Sequence, residues 1–88
     1  MSRNKTSNSV KYSLYYYDSC PFCARVLHGL DKVNVDVERR NIMSDANHRT
    51  ALQQATGRST VPCLRIETGK ESQWMFESMD IMRFLQSL

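Results

Sequence analysis

The strongest constraint on the fold is the segment Cys20-Pro21-Phe22-Cys23, which follows an apolar run and precedes a helical pattern. With Cys20 at the N-cap and Pro21 at the first helical position, which proline favours, the two thiols lie on one face of the first turn. Backbone N–H groups and the positive end of the helix dipole favour a thiolate on Cys20. A thiolate with a second thiol within bridging distance is what thiol–disulfide exchange requires. The sequence therefore predicts a redox-active dithiol where a strand passes into a helix.

Length and composition predict one small domain outside the secretory route. A chain of 88 residues can build a single modest core. We expect that domain over residues 10–88, after a disordered polar tail at residues 1–9. The tail lacks the apolar stretch of a secretory signal, and no run in the chain is apolar enough to span a membrane. We therefore expect a cytoplasmic protein, in which disulfides do not serve as structural staples.

The net charge of the chain gives no indication of nucleic-acid binding. The formal net charge is +3, and Arg3, Lys5 and Lys11 supply all of it, since residues 12–88 carry nine basic and nine acidic side chains. A short basic tail on a neutral domain is typical of a solvated terminus. We expect a monomer that binds neither nucleic acid nor membrane.

The chain alternates strand and helix patterns in the order βαβ, α, ββα. Strands are predicted where apolar residues cluster or alternate, and helices where they recur every three or four residues. The predicted strands are Val10–Tyr17, Val33–Glu38, Cys63–Glu67 and Gln73–Phe76. Three helices are predicted. The first is Pro21–Asp31, the second is capped by Ser44-Asp45 and ended by Gly57, and the third begins at Glu77-Ser78. The first unit implies a parallel strand pair, and the hairpin adds antiparallel strands. The pattern predicts an α/β domain with a four-stranded mixed sheet and flanking helices.

Helical periodicity also predicts which side chains form the core. The predicted buried stripe of the first helix is Phe22, Val26 and Leu30, and that of the last helix is Ile81, Leu85 and Leu88. Cys63 is expected to fill the core as a small buried residue.

Three segments, in this order, resemble the glutaredoxins, a family of thioredoxin-fold proteins. The first is Cys20-Pro21-Phe22-Cys23, close to the family's dithiol motif, in which the third position is usually tyrosine. The second is Gly57–Pro62, similar to the segment that ends in the family's cis-proline. The third is Phe76–Ile81, in the place of the family's glycine-containing turn, although its Glu77-Ser78 pair is the one used by the N-terminal domain of glutathione transferases. The resemblance extends from Lys11 to the C-terminus and implies a thioredoxin-like (glutaredoxin) fold.

The resemblance implies that Cys20 is the nucleophile and Cys23 the resolving thiol. In the family, the first cysteine attacks a protein disulfide or a glutathionylated protein and carries glutathione as a mixed disulfide. Cys20 is expected to be exposed, and Cys23, one turn inside the helix, to have a higher pKa. Glutathione is the implied co-substrate, disulfide-containing or glutathionylated proteins are the implied partners, and no metal is expected.

A groove for glutathione is also implied by the resemblance. Pro62 is expected to follow a cis peptide bond, so that the backbone of Val61 pairs with the cysteinyl unit of glutathione. Without the context of Thr60-Val61-Pro62, an ordinary trans proline would be the commoner interpretation. Tyr17 and Phe22, on either side of the first cysteine, are expected to line the groove.

Glu77 and Ser78 are the candidates for holding the γ-glutamyl end of glutathione. Backbone N–H groups at a helix N-terminus, together with a serine hydroxyl, form an anion site. The resemblance assigns that site to the γ-glutamyl carboxylate. The same two residues also suit a simple N-cap that stabilises the helix by ~1 kcal/mol.

Departures from the family keep other hypotheses open. Tyr17 stands where many glutaredoxins have a lysine that helps to activate the first cysteine, and the neighbouring Asp18 carboxylate opposes a thiolate. The alternative function is a glutathione- or Fe–S-cluster-binding thioredoxin-fold module with little turnover. A free-standing domain like the N-terminal half of a glutathione transferase is a third hypothesis. A zinc site would need further ligands, and Cys63 and the two histidines lack metal-ligand spacing.

Overall fold

The computed structural model describes residues 10–88, so the predicted tail at residues 1–9 lies outside the described residues. Its strands are β1 (Val10–Tyr16), β2 (Val37–Asn41), β3 (Cys63–Thr68) and β4 (Glu71–Met75). Its helices are α1 (Pro21–Gly29), which a 3-10 turn at Leu30–Lys32 continues, α2 (Ala46–Thr56) and α3 (Ser78–Gln86). None of the helices in the described residues is both long enough and apolar enough to cross a membrane.

The four strands form one mixed sheet in the order β2-β1-β3-β4. β1 and β2 run parallel, with α1 as the crossover between them, while β1–β3 and β3–β4 are antiparallel. The tight turn of the β3–β4 hairpin contains Gly69, whose φ of 60° lies in the left-handed region that glycine enters without steric cost. This topology confirms the predicted fold, which is thioredoxin-like.

The core lies on both faces of the sheet because neighbouring residues of a strand point to opposite sides. One buried cluster joins the sheet to α1 and α3, and its members are Leu14, Val26, Leu30, Leu64, Ile66, Ile81 and Leu85. The other joins the sheet to α2, and its members are Tyr15, Ile42, Leu52 and Cys63. β1 contributes to both clusters, so its carboxyl end, which leads into the cysteine segment, is fixed from both sides.

The second strand begins later than the sequence pattern predicts. Val33 and Val35 do pack against the core, but the backbone bends there, and pairing with β1 begins where Tyr12 lies opposite Val37. The alternating pattern therefore belongs to a packed connection, and β2 is a charged edge strand. Its Arg40 donates a hydrogen bond of 2.7 Å to the hydroxyl of the fully buried Tyr15, which satisfies that polar group.

Two of the predicted core residues are wrong. Phe22 is 57% exposed because the inner face of α1 is formed by Cys23, Val26 and the following Leu30, which leaves Phe22 on the outer side. Leu88 is 39% exposed because α3 ends at Gln86, so the helical period does not extend to it. Apolar spacing identified the two stripes but not where each one stops.

The ends of α2 agree with the predicted signals. The Asp45 side chain accepts a hydrogen bond from the Asn47 N–H at 2.9 Å, as an N-cap residue does. Gly57 ends the helix with φ of 81°, in the left-handed conformation that favours glycine. The segment from Gly57 to Pro62 thus starts at a defined point and returns to the sheet at β3.

Candidate active site

Cys20 occupies the N-cap of α1, as predicted. Its backbone is extended (φ −84°, ψ 118°), and Pro21 follows in the first turn. The Cys20 sulfur accepts a hydrogen bond of 3.3 Å from the backbone N–H of Cys23. Its carbonyl accepts the first helical bond, from Ala24 at 3.0 Å. The sulfur therefore takes the place that a serine or aspartate oxygen usually has at a helix N-terminus, facing the positive end of the helix dipole.

The expectation that Cys20 is exposed is wrong. The residue is only 5% exposed. The capping hydrogen bond explains this, because it turns the sulfur back over the first turn of α1 instead of into solvent. A substrate sulfur must therefore approach along a restricted path.

Cys23 is fully buried on the inner face of α1. The pKa of its thiol is raised from 9.0 to about 12, chiefly by burial, with a smaller upward contribution from the Cys20 side chain and an opposing one from a hydrogen bond with the Tyr17 backbone. Near neutral pH, Cys23 is thus a protonated thiol beside Cys20.

A groove beside the cysteine segment brings together most of the residues that were expected to bind glutathione. Its volume is about 220 Å³. The peptide bond between Val61 and Pro62 is cis, as predicted. The lining residues are Phe22, Thr60, Val61, Pro62, Phe76, Glu77 and Ser78. Segments that are distant in sequence, at the starts of α1, β3 and α3, therefore meet at this groove, which we call the cis-proline groove.

Tyr17 is not among the residues that line the cis-proline groove. It is half-buried against the cluster under α2, beside Tyr15 and Ile42. β1 ends at Tyr16, and the alternation of side chains gives Tyr17 the same direction as Tyr15. Its backbone carbonyl accepts a hydrogen bond of 3.4 Å from the Cys20 N–H, so the backbone of Tyr17 reaches the dithiol.

Phe76 is the lining residue that sequence reasoning missed. It follows the end of β4 and precedes Glu77, and its only sequence signal is that position next to the helix start. The guanidinium of Arg58 lies over its ring, 4.0 Å from the centroid, in a cation–π contact. A positive charge is thereby held beside the cis-proline groove.

The first turn of α3 reaches the same groove without a side-chain cap. Glu77 is the N-cap residue, and its carbonyl accepts the Ile81 N–H at 2.8 Å. Within residues 10–88, however, its side chain makes no capping hydrogen bond. The Glu77 carboxylate therefore does not cap α3, and the first N–H groups of the helix can donate hydrogen bonds to other acceptors.

Asp18 belongs to a link between two loops. Its carboxylate accepts a hydrogen bond of 3.3 Å from the side-chain amide of Asn41. The Asn41 side-chain oxygen in turn accepts from the N–H groups of Met43 and Ser44, at 2.8 and 3.2 Å. The loop before Cys20 is thus tied to the end of β2.

Cys63 lies in the core, as predicted, with no exposed surface. The pKa of its thiol is raised from 9.0 to about 12 by burial, which outweighs the opposing effects of the Arg58 charge and a hydrogen bond with the Met75 backbone. Among the described residues, no group of three or more His, Cys, Asp or Glu side chains could hold a metal ion.

The buried thiol of Cys63 predicts how the free energy of unfolding varies at alkaline pH. Because folding raises the pKa of Cys63 above its unfolded value of 9.0, the folded state keeps a proton that the unfolded state loses. This contribution to stability is complete below pH 9.0 and falls as pH rises toward 12. Cys63→Ala removes it, so the free energy of unfolding of the variant should decline less between about pH 8 and about pH 10 than that of the wild type. Urea unfolding at both pH values measures this, and equal declines would contradict the pKa shift.

Comparison with known proteins agrees with this geometry. The sequence profile of the Glutaredoxin family matches residues 10–70. The chain belongs to the glutaredoxin family. It is 35% identical over 77 residues to glutaredoxin 2 of Escherichia coli K12, an alignment that covers 85% of the chain. It covers only 33% of that relative, so the chain spans about a third of the length of the curated glutaredoxins it matches.

Solved structures give the same fold. A glutaredoxin from Archaeoglobus fulgidus superposes with a TM-score of 0.60 at 19% identity, covering 84% of each chain. A glutathione transferase homologue from Drosophila mojavensis, solved with bound glutathione, superposes with a TM-score of 0.64 at 26% identity, covering 89% of this chain and 35% of that one.

Proposed function

We propose that this protein is a glutathione-dependent thiol–disulfide oxidoreductase that reduces protein disulfides and protein–glutathione mixed disulfides through Cys20 and Cys23. The observation that carries the proposal is the hydrogen bond of 3.3 Å from the Cys23 N–H to the Cys20 sulfur at the start of α1. It gives the nucleophile a donor and the helix N-terminus, two features that stabilise a thiolate in exchange reactions.

On a glutathionylated protein, the reaction needs only Cys20. Its thiolate attacks the glutathione sulfur, the new bond forms between the two sulfurs, and the protein sulfur leaves as a thiolate. A second glutathione thiolate then attacks the mixed disulfide on Cys20. Glutathione disulfide leaves, and the Cys20 thiolate is restored, so one glutathione thiol is oxidised for each protein thiol released, and the other half of the glutathione disulfide comes from the substrate.

On a protein disulfide, the reaction also needs Cys23. Cys20 attacks one sulfur of the substrate, and a mixed disulfide forms between the proteins. Cys23 then loses its proton and attacks the Cys20 sulfur, which releases the reduced substrate and leaves a disulfide between Cys20 and Cys23. Two glutathione molecules reduce this disulfide. The raised pKa of Cys23, about 12, keeps its thiol protonated in the reduced protein near neutral pH.

The cis-proline groove supports glutathione as the co-substrate. The backbone of Val61 offers an N–H and a C=O that can pair with the cysteinyl unit of the peptide. Ser78 and the uncapped first turn of α3 offer donors to the γ-glutamyl carboxylate, and Glu77 can meet its ammonium group. The transferase homologue that superposes on this chain was itself solved with glutathione bound.

The function is tested with a glutathionylated peptide as substrate. Reduced glutathione, glutathione reductase and NADPH are supplied, and NADPH oxidation is followed with and without the protein. Saturable turnover in both peptide and glutathione is expected. A rate equal to that of glutathione alone would contradict the proposal and favour a binding domain.

Ser78→Ala is expected to raise the KM for glutathione about fivefold, because one hydrogen bond to a ligand is worth about 1 kcal/mol. The matched control is Ser87→Ala at the other end of α3, where the hydroxyl donates to the Phe84 carbonyl at 2.6 Å, away from the groove. Steady-state kinetics with glutathione as the varied substrate separates the two variants. An equal KM in both would remove Ser78 from the binding site.

A further inference from the structure

A second groove lies between α1 and α3. Its volume is about 230 Å³, and its lining residues are Arg25, Ser78, Met79, Met82, Arg83 and Gln86. We call it the α1/α3 groove. It shares Ser78 with the cis-proline groove, so the two adjoin at the start of α3. A protein segment in the α1/α3 groove would therefore lie next to a glutathione unit in the cis-proline groove.

The charged residues that line the α1/α3 groove are both cationic. Arg25 is exposed on α1 and Arg83 is exposed on α3. The Arg83 guanidinium lies 3.8 Å from the Asp80 carboxylate, in an exposed pair. Asp80 thus offsets part of the charge of Arg83, and with Arg25 the groove keeps a net positive charge that suits an acidic ligand.

Methionine side chains supply the apolar part of the groove. Met79 is 63% exposed. Met82 packs so closely on Gly29 of α1 that a β-carbon at that glycine would collide with the tip of the methionine side chain. Methionine adapts to differently shaped apolar partners. The groove therefore combines two cations with an exposed, adaptable apolar surface.

We propose that the α1/α3 groove docks an acidic segment of the protein substrate, one that carries an apolar side chain close to its reactive cysteine. The proposal rests on the proposed function, since it names the class of protein that the dithiol reduces. Carboxylates on the segment would pair with Arg25 and Arg83, and its apolar side chain would contact Met79. A basic segment would instead place like charges together without compensation.

Three glutathionylated peptides test the docking surface. They share one cysteine and differ only in its flanks, which are Glu-Leu-Glu, Gln-Leu-Gln or Lys-Leu-Lys on both sides. Bis(2-hydroxyethyl) disulfide serves as a reference substrate without flanks. We expect kcat/KM to be about tenfold higher for the acidic peptide than for the basic one, mainly through KM, because exposed ion pairs contribute up to about 1 kcal/mol each. High salt should reduce this ratio.

The variant Arg25→Glu, Arg83→Glu should reverse the order of the peptides. The matched control is Arg49→Glu, which changes an exposed arginine on α2, across the sheet, and should keep the original order. If the double variant does not fold, Arg25→Gln, Arg83→Gln should make the three peptides equal. Equal kcat/KM values in the wild type, with normal turnover of the reference disulfide, would overturn the docking proposal. Failure on the reference disulfide as well would overturn the proposed function.

Discussion

Replacing Cys20 by serine is expected to abolish both proposed activities, the reduction of protein disulfides and the removal of glutathione from proteins. A serine hydroxyl can still accept the N–H of Cys23, so the cap and the helix are preserved. It cannot form a disulfide, so neither mixed disulfide can exist. Loss of a nucleophile lowers kcat by roughly a thousandfold or more. The coupled assay with reduced glutathione, glutathione reductase and NADPH measures this on both substrates.

Two other cysteine variants serve as controls. Cys23→Ser should keep deglutathionylation, which needs Cys20 alone, and lose the reduction of protein disulfides, which needs a resolving thiol. Cys63→Ser should keep both, because Cys63 is buried in the cluster under α2. Activity that survives in the Cys20 variant, or a Cys23 variant that loses both reactions, would contradict the assigned roles.

Ile81→Ala is expected to lower the free energy of unfolding by about 3 kcal/mol, the largest stability change proposed for this chain. Ile81 is fully buried in the cluster that joins α3 to the sheet and α1. Alanine leaves a cavity there, and its cost is a large part of the 5–15 kcal/mol typical of a domain. The N-terminus of α3 would then be held less firmly against the cis-proline groove.

Urea unfolding of Ile81→Ala and Ile81→Val provides the measurement. Valine removes one methylene group and should cost about 1 kcal/mol, with an unchanged slope against urea. If Ile81→Ala lowers the free energy of unfolding no more than Ile81→Val does, the surrounding side chains must close the cavity that alanine leaves. That result would also mean that α3 is held by other contacts.

The sequence predicted the fold well because strong local signals coincide with tertiary ones. Proline after Cys20 and glycine at position 57 mark helix ends by backbone geometry, and the structure has both ends where they were expected. The cis peptide before Pro62 was expected only from the family resemblance, because base rates favour trans. Local geometry therefore predicted the elements, and the resemblance predicted how they meet.

The sequence could not predict the features that depend on where helices and strands end or on contacts between distant segments. Val33 and Val35 have the alternation of a strand but pack in a bend, and Phe22 has the spacing of the core stripe but lies outside it. The burial of Cys20 follows from one hydrogen bond that no pattern specifies. Phe76, which the sequence pattern placed in the last strand, follows the end of β4 and lines the cis-proline groove.

The most direct test of the account is to identify the cysteine that accepts glutathione. The variant Cys23→Ser, Cys63→Ser retains Cys20 as its sole thiol. It is incubated with glutathione disulfide and analysed by intact-protein mass spectrometry and peptide mapping. The account predicts one glutathione adduct, on Cys20, that reduced glutathione removes. A protein that stays unmodified, while its unfolded form accepts glutathione readily, would contradict Cys20 as the nucleophile.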